Sequence, residues 1–598
     1  MSIRPSRTAV LAALMLGLAA TQCDVIIGLD KFRDCTTDCT GSGGAAGASH
    51  AASTTQAAST TNATTASTSA GTGGAKVCSP GATMKCPYMG TPGTEGIGDC
   101  KAGKATCAAD GSGYGPCMGE VDPDPKGENC YKLGDENCDG IACSDPVVTS
   151  LYGDASDQHT TSMTVDKDGN ILIAGYFQGV MTFGTQTITS MGSNDYFVAK
   201  FDPSGIPLWA RRYGDAVNNG VTLYVTTDSA GNVILSGDFT GQLDFGACGF
   251  VSSNKPFATT VLVAKLSPQG NCQWASTFGN GVGSGQRASG AATTATGDIV
   301  IAGSFDGSIK FGSAATVPTL SVTTSGGYPD MFLAKLGPDG SYAWSKKFSD
   351  PSSPMPTSSR GAGTPYVDSA TGHIYLSGGF TGKLALGTTT LSYTGSGGAL
   401  FLSKFDVDGS TLAAKHFGGE TGYSGTVGMA VSSDRVIITG NMGDHVDFGG
   451  GPLPLQGLYD GFIAVFDLSL LHQWSMRFGD PNDMGGSNVD TGTSVASDKD
   501  GNVLLTGYVY GQLSFPGGPM LNAQGGADVF LAKFDPTGKL LWNKIFGDST
   551  NQFSAGVGAN PMTKDVVLAG STQGSIDFGT GNKTSAGGYD VFLATFQP

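Results

Sequence analysis

Residues 491–507 read TGTSVASDKDGNVLLTG, and residues 528–547 read DVFLAKFDPTGKLLWNKIFG. Together they carry four strand signals and two turns. The first strand, A, is small and polar, as in Gly492 to Ala496. The second, B, is the apolar run Val503-Leu-Leu-Thr-Gly507. The third, C, is Phe530-Leu-Ala-Lys-Phe534. The fourth, D, carries Trp542 and ends at Phe546-Gly547. Asp498-Lys-Asp-Gly-Asn502 and Asp535-Pro-Thr-Gly538 read as the A–B and C–D turns, because Asp and Pro start such turns and Gly supplies a positive φ. A run apolar at every position is buried on both faces, which suits B and C between neighbouring sheets. The small residues of A suit the crowded innermost position around a channel.

The same unit recurs. Its aromatic landmark stands at Tyr152, Tyr213, Phe278, Phe348, Phe417, Phe478 and Phe546, at intervals of 61 to 70 residues. Four residues earlier stand Trp209, Trp274, Trp344, Trp474 and Trp542, the only five tryptophans; Val148 and Ala413 hold the position in the other two copies. A repeated four-strand unit of this length is a propeller blade, which packs only on its neighbours. The last repeat stops at strand C, Phe592-Leu-Ala-Thr-Phe596. The missing D strand stands at the other end, from Val147 to Tyr152 and Gly153. The expected fold is therefore all-β: a seven-bladed β-propeller with four-stranded blades over 146–598, its two chain ends joined in one blade. These repeats resemble the bacterial β-propeller repeat family abbreviated SBBP, through Asp-x-x-Gly-Asn, the apolar run with Gly, Asp-x-Phe-x-Ala-Lys and the aromatic-Gly. Within that signature Asp195 and Lys200, Asp330 and Lys335, and Asp528 and Lys533 are expected to act as pairs that fix the start of strand C.

The rest of the chain is organised differently. Arg4, Arg7 and the apolar stretch Thr8 to Ala20 read as an export signal over 1–22, too short to span a membrane. Ala20-Thr21-Gln22-Cys23 resembles the lipobox of bacterial lipoproteins, which implies acylation of Cys23; ordinary cleavage after Ala20 is the other reading. The expected location is outer membrane or cell surface through a lipid anchor, or else secreted or periplasmic. Residues 23–40 form a short Cys segment, and 41–77 an Ala/Ser/Thr/Gly tether with too little apolar surface to fold, spanning about 35 Å. Of 13 cysteines, Cys23 is assigned to lipid, ten lie between Cys35 and Cys143, and Cys248 and Cys272 lie in the propeller. Both groups are even, as disulfide pairing in an oxidising compartment requires. Cys248 and Cys272 are expected to pair; connectivity over 35–143 stays open.

Residues 78–145 form a Cys-rich module that needs disulfides, being too small for a sufficient core. Glu128-Asn-Cys130 and Asp135-Glu136-Asn-Cys138-Asp139-Gly140 resemble the MopE-type metal-binding motif of bacterial surface proteins. That resemblance implies a Ca²⁺ site through Asp135, Glu136 and Asp139; a purely structural disulfide loop is the alternative. No other cofactor is expected.

The net charge of −17 argues against nucleic acid and anionic membrane surfaces as partners. Function is expected on the face of the D–A and B–C connections, which look long and variable, since binding residues concentrate on long loops over rigid scaffolds. Its acidic residues are Asp154, Asp157, Asp215, Asp350, Glu420, Asp480, Asp483, Asp490 and Asp548, against only Arg287 and Arg360. They either attract a ligand or cap turns. The six histidines, His50, His159, His373, His416, His445 and His472, hold unrelated repeat positions, and no catalytic set is assignable. The leading expectation is a monomeric surface binding or scaffolding protein with a protein or glycan ligand. An envelope hydrolase or lyase at the channel mouth, and a passive structural coat protein, are the alternatives.

Overall fold

The computed structural model describes residues 76–96, 100–123 and 146–598, except 218, 221, 254–257, 280–284, 323–328, 351–359, 396, 419–427, 444, 457–458 and 481–488. Cys23, Asp135, Glu136, Asp139, Glu420 and Asp483 lie outside the described residues.

Strand B shows how composition sets the blade. In blade 1, Ile171–Phe177 pairs with strand A, Gln158–Val165, on one side and strand C, Asp195–Phe201, on the other; strand D is Pro207–Tyr213. Ile171 through Ala174 are fully buried, as a strand covered on both faces must be. The glycine that follows has a steric cause. A Cβ at Gly175 would strike the carbonyl oxygen of His159 and the ring of Phe197; Gly303, Gly507 and Gly570 meet the same two obstacles in their blades. Strand A bulges there, between Thr160 and Ser162 in blade 1.

Six further blades repeat the order A-B-C-D. In blade 4, strand A is split into Arg360–Ala362 and Tyr366–Val367. In blade 7, Gln552–Ala559, Val566–Ile576 and Lys583–Phe596 supply A, B and C, and Pro146–Tyr152 supplies D. The register runs from Tyr152 opposite Val591 to Pro146 opposite Phe596, so the two ends of the propeller share one sheet and close the ring.

Three kinds of contact bind neighbouring blades. Strand A hydroxyls reach the neighbouring backbone: Thr161 Oγ1 donates to Leu223 O, Thr293 Oγ1 to Thr227 O and Thr364 Oγ1 to Ser289 O. This is why strand A is rich in Ser and Thr. Four of the five strand D tryptophans donate to the next blade's C–D turn, Trp209 Nε1 to Pro268 O (3.0 Å), Trp274 to Pro338 O, Trp344 to Val407 O and Trp474 to Pro536 O, whereas Trp542 Nε1 is buried with no partner among the described residues. Where Ala413 replaces tryptophan, the Tyr375 hydroxyl of the same blade donates to Leu468 O (3.0 Å).

The third contact corrects the reading of the B–C connections as long loops. In blades 1–6 they form two-stranded hairpins, for example Val180–Phe183 with Gln186–Thr189. In blade 7 the extended B and C strands continue the pairing outward. Each hairpin carries a buried aromatic, or Leu386 in blade 4, that meets the closing aromatic of the preceding blade. Phe183 lies 4.7 Å from Tyr152 between ring centroids, Phe245 4.4 Å from Tyr213, Phe311 5.2 Å from Phe278 and Phe578 5.0 Å from Phe546. Aromatic pairs of this kind add about 0.5–1.5 kcal/mol beyond burial. Cys248, at the tip of the blade 2 hairpin, is disulfide-bonded to Cys272 at the start of strand D.

In the Cys-rich module, Cys78 bonds Cys107 and Cys86 bonds Cys117, around strands Thr83–Lys85 and Lys104–Thr106.

Candidate functional site

The two ends of the propeller use their carboxylates differently. On the short-turn side, Asp166 Oδ1 accepts the backbone N–H groups of Asp168 and Asn170, and Oδ2 meets Lys200 Nζ at 2.9 Å. Both oxygens serve the turn, which is hairpin chemistry. The same bridge recurs as Asp228–Lys265, Asp298–Lys335 and Asp498–Lys533. The strand C lysine therefore pairs with the A–B turn and not with the aspartate at the head of its own strand. The pairing of Asp195 with Lys200 expected from sequence is incorrect, because the two stand at opposite ends of a seven-residue strand. Asp195 instead binds Arg212 of strand D at 2.7 Å and accepts Met191 N–H; Asp460 likewise binds Arg477 at 2.9 Å and accepts Gln456 N–H. The aspartate still fixes the start of strand C, by anchoring the end of the B–C connection.

On the long-loop side, the D–A carboxylates clamp the next hairpin. Asp154 accepts Ser156 N–H and Val180 N–H; Asp215 accepts Val217 N–H and Gln242 N–H; Asp548 accepts Thr550 N–H and Ser575 N–H. Asp480 accepts Gln512 N–H, and Asp350 lies against the equivalent turn at Gly382. Against the upward pull of burial, these bonds hold Asp154 and Asp548 below the usual carboxylate range. Asp490 is buried and accepts Asp480 N–H and Tyr510 N–H; burial, with Asp460 and Asp480 nearby, pushes it up to about 7. These carboxylates do structural work. Asp157 differs: it is exposed, and its carboxylate accepts Tyr589 N–H at 3.1 Å.

Beside Asp157 lies a feature that sequence reasoning missed. Six half-buried rings follow one another across blades 6, 7 and 1. Tyr510 is 6.2 Å from Tyr508, Tyr508 5.0 Å from Phe553, Phe553 6.1 Å from Tyr589, Tyr589 4.6 Å from His159, and His159 4.9 Å from Tyr176. His159 and Phe553 belong to strands A, so the stripe runs along the channel rim on the long-loop face. Burial pushes the His159 imidazole down, against the opposing pull of Asp157, which favours its neutral form; burial and Asp157 push the Tyr176 phenol up. His159 and Phe553 share the second position of strand A, and Tyr176 and Tyr508 share the position after the strand B glycine, so the repeat alignment carries part of the signal; Tyr510 and Tyr589 hold other positions.

The arrangement defines a class: a closed seven-bladed propeller with a half-exposed aromatic stripe at one channel rim. No protein-family model matches the chain, and no curated protein matches it. Solved structures similar in fold include the β-propeller domain of Cps50 (Swd1) from Myceliophteria thermophila, 9% identical, covering 75% of this chain and 100% of that one, with a TM-score of 0.35. Sqt1 from Chaetomium thermophilum is 11% identical over 76% of this chain and 99% of that one, with a TM-score of 0.34. A subtype N10 neuraminidase-like protein of A/little yellow-shouldered bat/Guatemala/060/2010 is 9% identical over 62% of this chain and 93% of that one, with a TM-score of 0.29.

Proposed function

We propose that this is a surface-displayed binding or scaffolding propeller of the SBBP repeat type, held to the envelope through acylated Cys23, whose protein or glycan ligand docks on the aromatic stripe. One observation carries the reading. The polar groups of the long-loop face are largely spent on their own backbone, whereas the stripe leaves ring surface, imidazole and Asp157 exposed in one place. Rigid aromatic surface with a few polar groups is the usual make-up of a recognition site. The blades hold the stripe rigidly, because the clamped loops and latched hairpins surround it. A Ca²⁺ ion at Asp135, Glu136 and Asp139 would order the Cys-rich module. The test is retention of the purified protein on envelope fractions of its source cell. Tyr589→Ala with Phe553→Ala should abolish retention while leaving the melting profile intact. Unchanged retention in a folded double variant refutes the reading.

A further inference from the structure

The stripe has a chemistry that narrows its ligand. The phenol oxygens of Tyr176, Tyr508, Tyr510 and Tyr589 have no hydrogen-bond partner among the described residues. Two buried tyrosines of the same propeller do find one: Tyr196 donates to Asp238 O and Tyr375 to Leu468 O. Four hydroxyls that both donate and accept therefore stand at the solvent edge of a run of apolar ring surface. No lysine or arginine makes an ion pair with Asp157 among the described residues, and none perturbs His159, Tyr176, Tyr508 or Tyr510. Buried Asp490 lies near Tyr510, and among the described residues Asp157 is the exposed carboxylate beside the rings. An anionic ligand would meet that carboxylate with nothing to offset it.

We propose that the stripe binds an uncharged oligosaccharide chain; this rests on the binding reading above. A sugar ring presents C–H groups to an aromatic face and hydroxyls to phenols, imidazole and carboxylate, and it brings no charge to be desolvated. The rings succeed one another at steps of 4.6 to 6.2 Å over three blades, so an extended chain engages more of them than a single sugar does.

The full-length protein is titrated calorimetrically with neutral gluco-, xylo- and N-acetylchito-oligosaccharides of increasing length, and with oligogalacturonate as the anionic counterpart. At least one neutral series should bind with affinity rising with length, and oligogalacturonate should bind at least about tenfold more weakly. Tyr176→Phe with Tyr589→Phe, which keeps both rings, should weaken the neutral series by about tenfold. Retention on envelope fractions is measured in parallel after periodate, which cleaves sugar diols, or after protease. Stripe-dependent retention lost to periodate and resistant to protease supports the proposal. Stripe-dependent retention lost to protease and resistant to periodate overturns it while leaving the binding reading intact. Retention independent of the stripe removes both. Preferential binding of oligogalacturonate, or no binding by any neutral series, also overturns it.

Discussion

Asp528→Asn should make this protein more stable at neutral pH, and the reason lies at the junction of blades 6 and 7. Asp528 is fully buried at the head of strand C. Its Oδ2 accepts Gln524 N–H, but Oδ1 has no partner. A Cβ on Gly547 would run into both that oxygen and Gln552 Oε1, so two acceptors share one small space. The Gln552 amide cannot usefully turn, since its Nε2 donates to Asp548 Oδ1 (3.0 Å) and Gln573 O (2.8 Å). Blades 1 and 5 answer the equivalent charge with Arg212 and Arg477; blade 6 has Ile545 in that place. Burial, with Asp548 nearby, accordingly pushes Asp528 from 3.8 up to about 6. The sign follows. Below the unfolded pKa both states hold the proton and nothing is lost. As pH rises from there through the folded pKa, the unfolded chain ionises first and stability falls; above it the loss is complete, about 2–3 kcal/mol at 1.36 kcal/mol per unit. Asparagine keeps the Gln524 bond and turns an N–H₂ toward Gln552 Oε1. Urea unfolding should show the variant ahead by about 2 kcal/mol near neutral pH, with the gain vanishing toward about pH 4. A variant equally destabilised at both pH values would refute the argument, for it would mean that the carboxylate has a favourable partner.

Ile545→Arg should remove part of the same pH dependence by recreating the blade 1 pair, and urea titrations at the same two pH values check it. Deleting residues 146–152 should cost several kcal/mol, since Tyr152 alone packs on Phe183 and Phe201 and loss of one buried aromatic costs about 3–5 kcal/mol. It also bares strand C of blade 7, so association should appear in size-exclusion chromatography; a monomer that unfolds like the parent counts against closure. Cys248→Ser with Cys272→Ser should lower stability by about 3 kcal/mol from the loop closed, localised by hydrogen exchange to the blade 2 hairpin. Cys23→Ser should move the protein from the detergent to the aqueous phase; a wild-type protein already in the aqueous phase would rule out the anchor.

Much of the ring was legible because each blade is local. Strands B and C announce themselves as apolar runs, the turns as Asp, Pro and Gly at set offsets, and the closing strand as an aromatic-Gly with no blade of its own. The outer hairpins were less visible. Met181-Thr-Phe183-Gly184, Val446-Asp-Phe448-Gly449 and Ile576-Asp-Phe578-Gly579 repeat a short alternation, but a three-residue strand gives little periodicity and reads as a loop. The Asp and Lys of strand C were read as partners because they are close in sequence, yet a strand of seven residues keeps its two ends well apart.

The amino-acid sequence by itself determined the blade, the count of seven and the joining of both chain ends, because hydrophobic period and turn chemistry act over a few residues at a time. It also placed the disulfide of blade 2. Only the tertiary structure decided which carboxylates are spent and which groups meet. Asp154, Asp215 and Asp548 clamp hairpins that follow them by more than twenty residues. His159 meets Tyr589 across more than four hundred residues of chain, and only when the ring closes. Contacts between blades depend on which residues ring closure brings together, and the pattern within one repeat does not encode that.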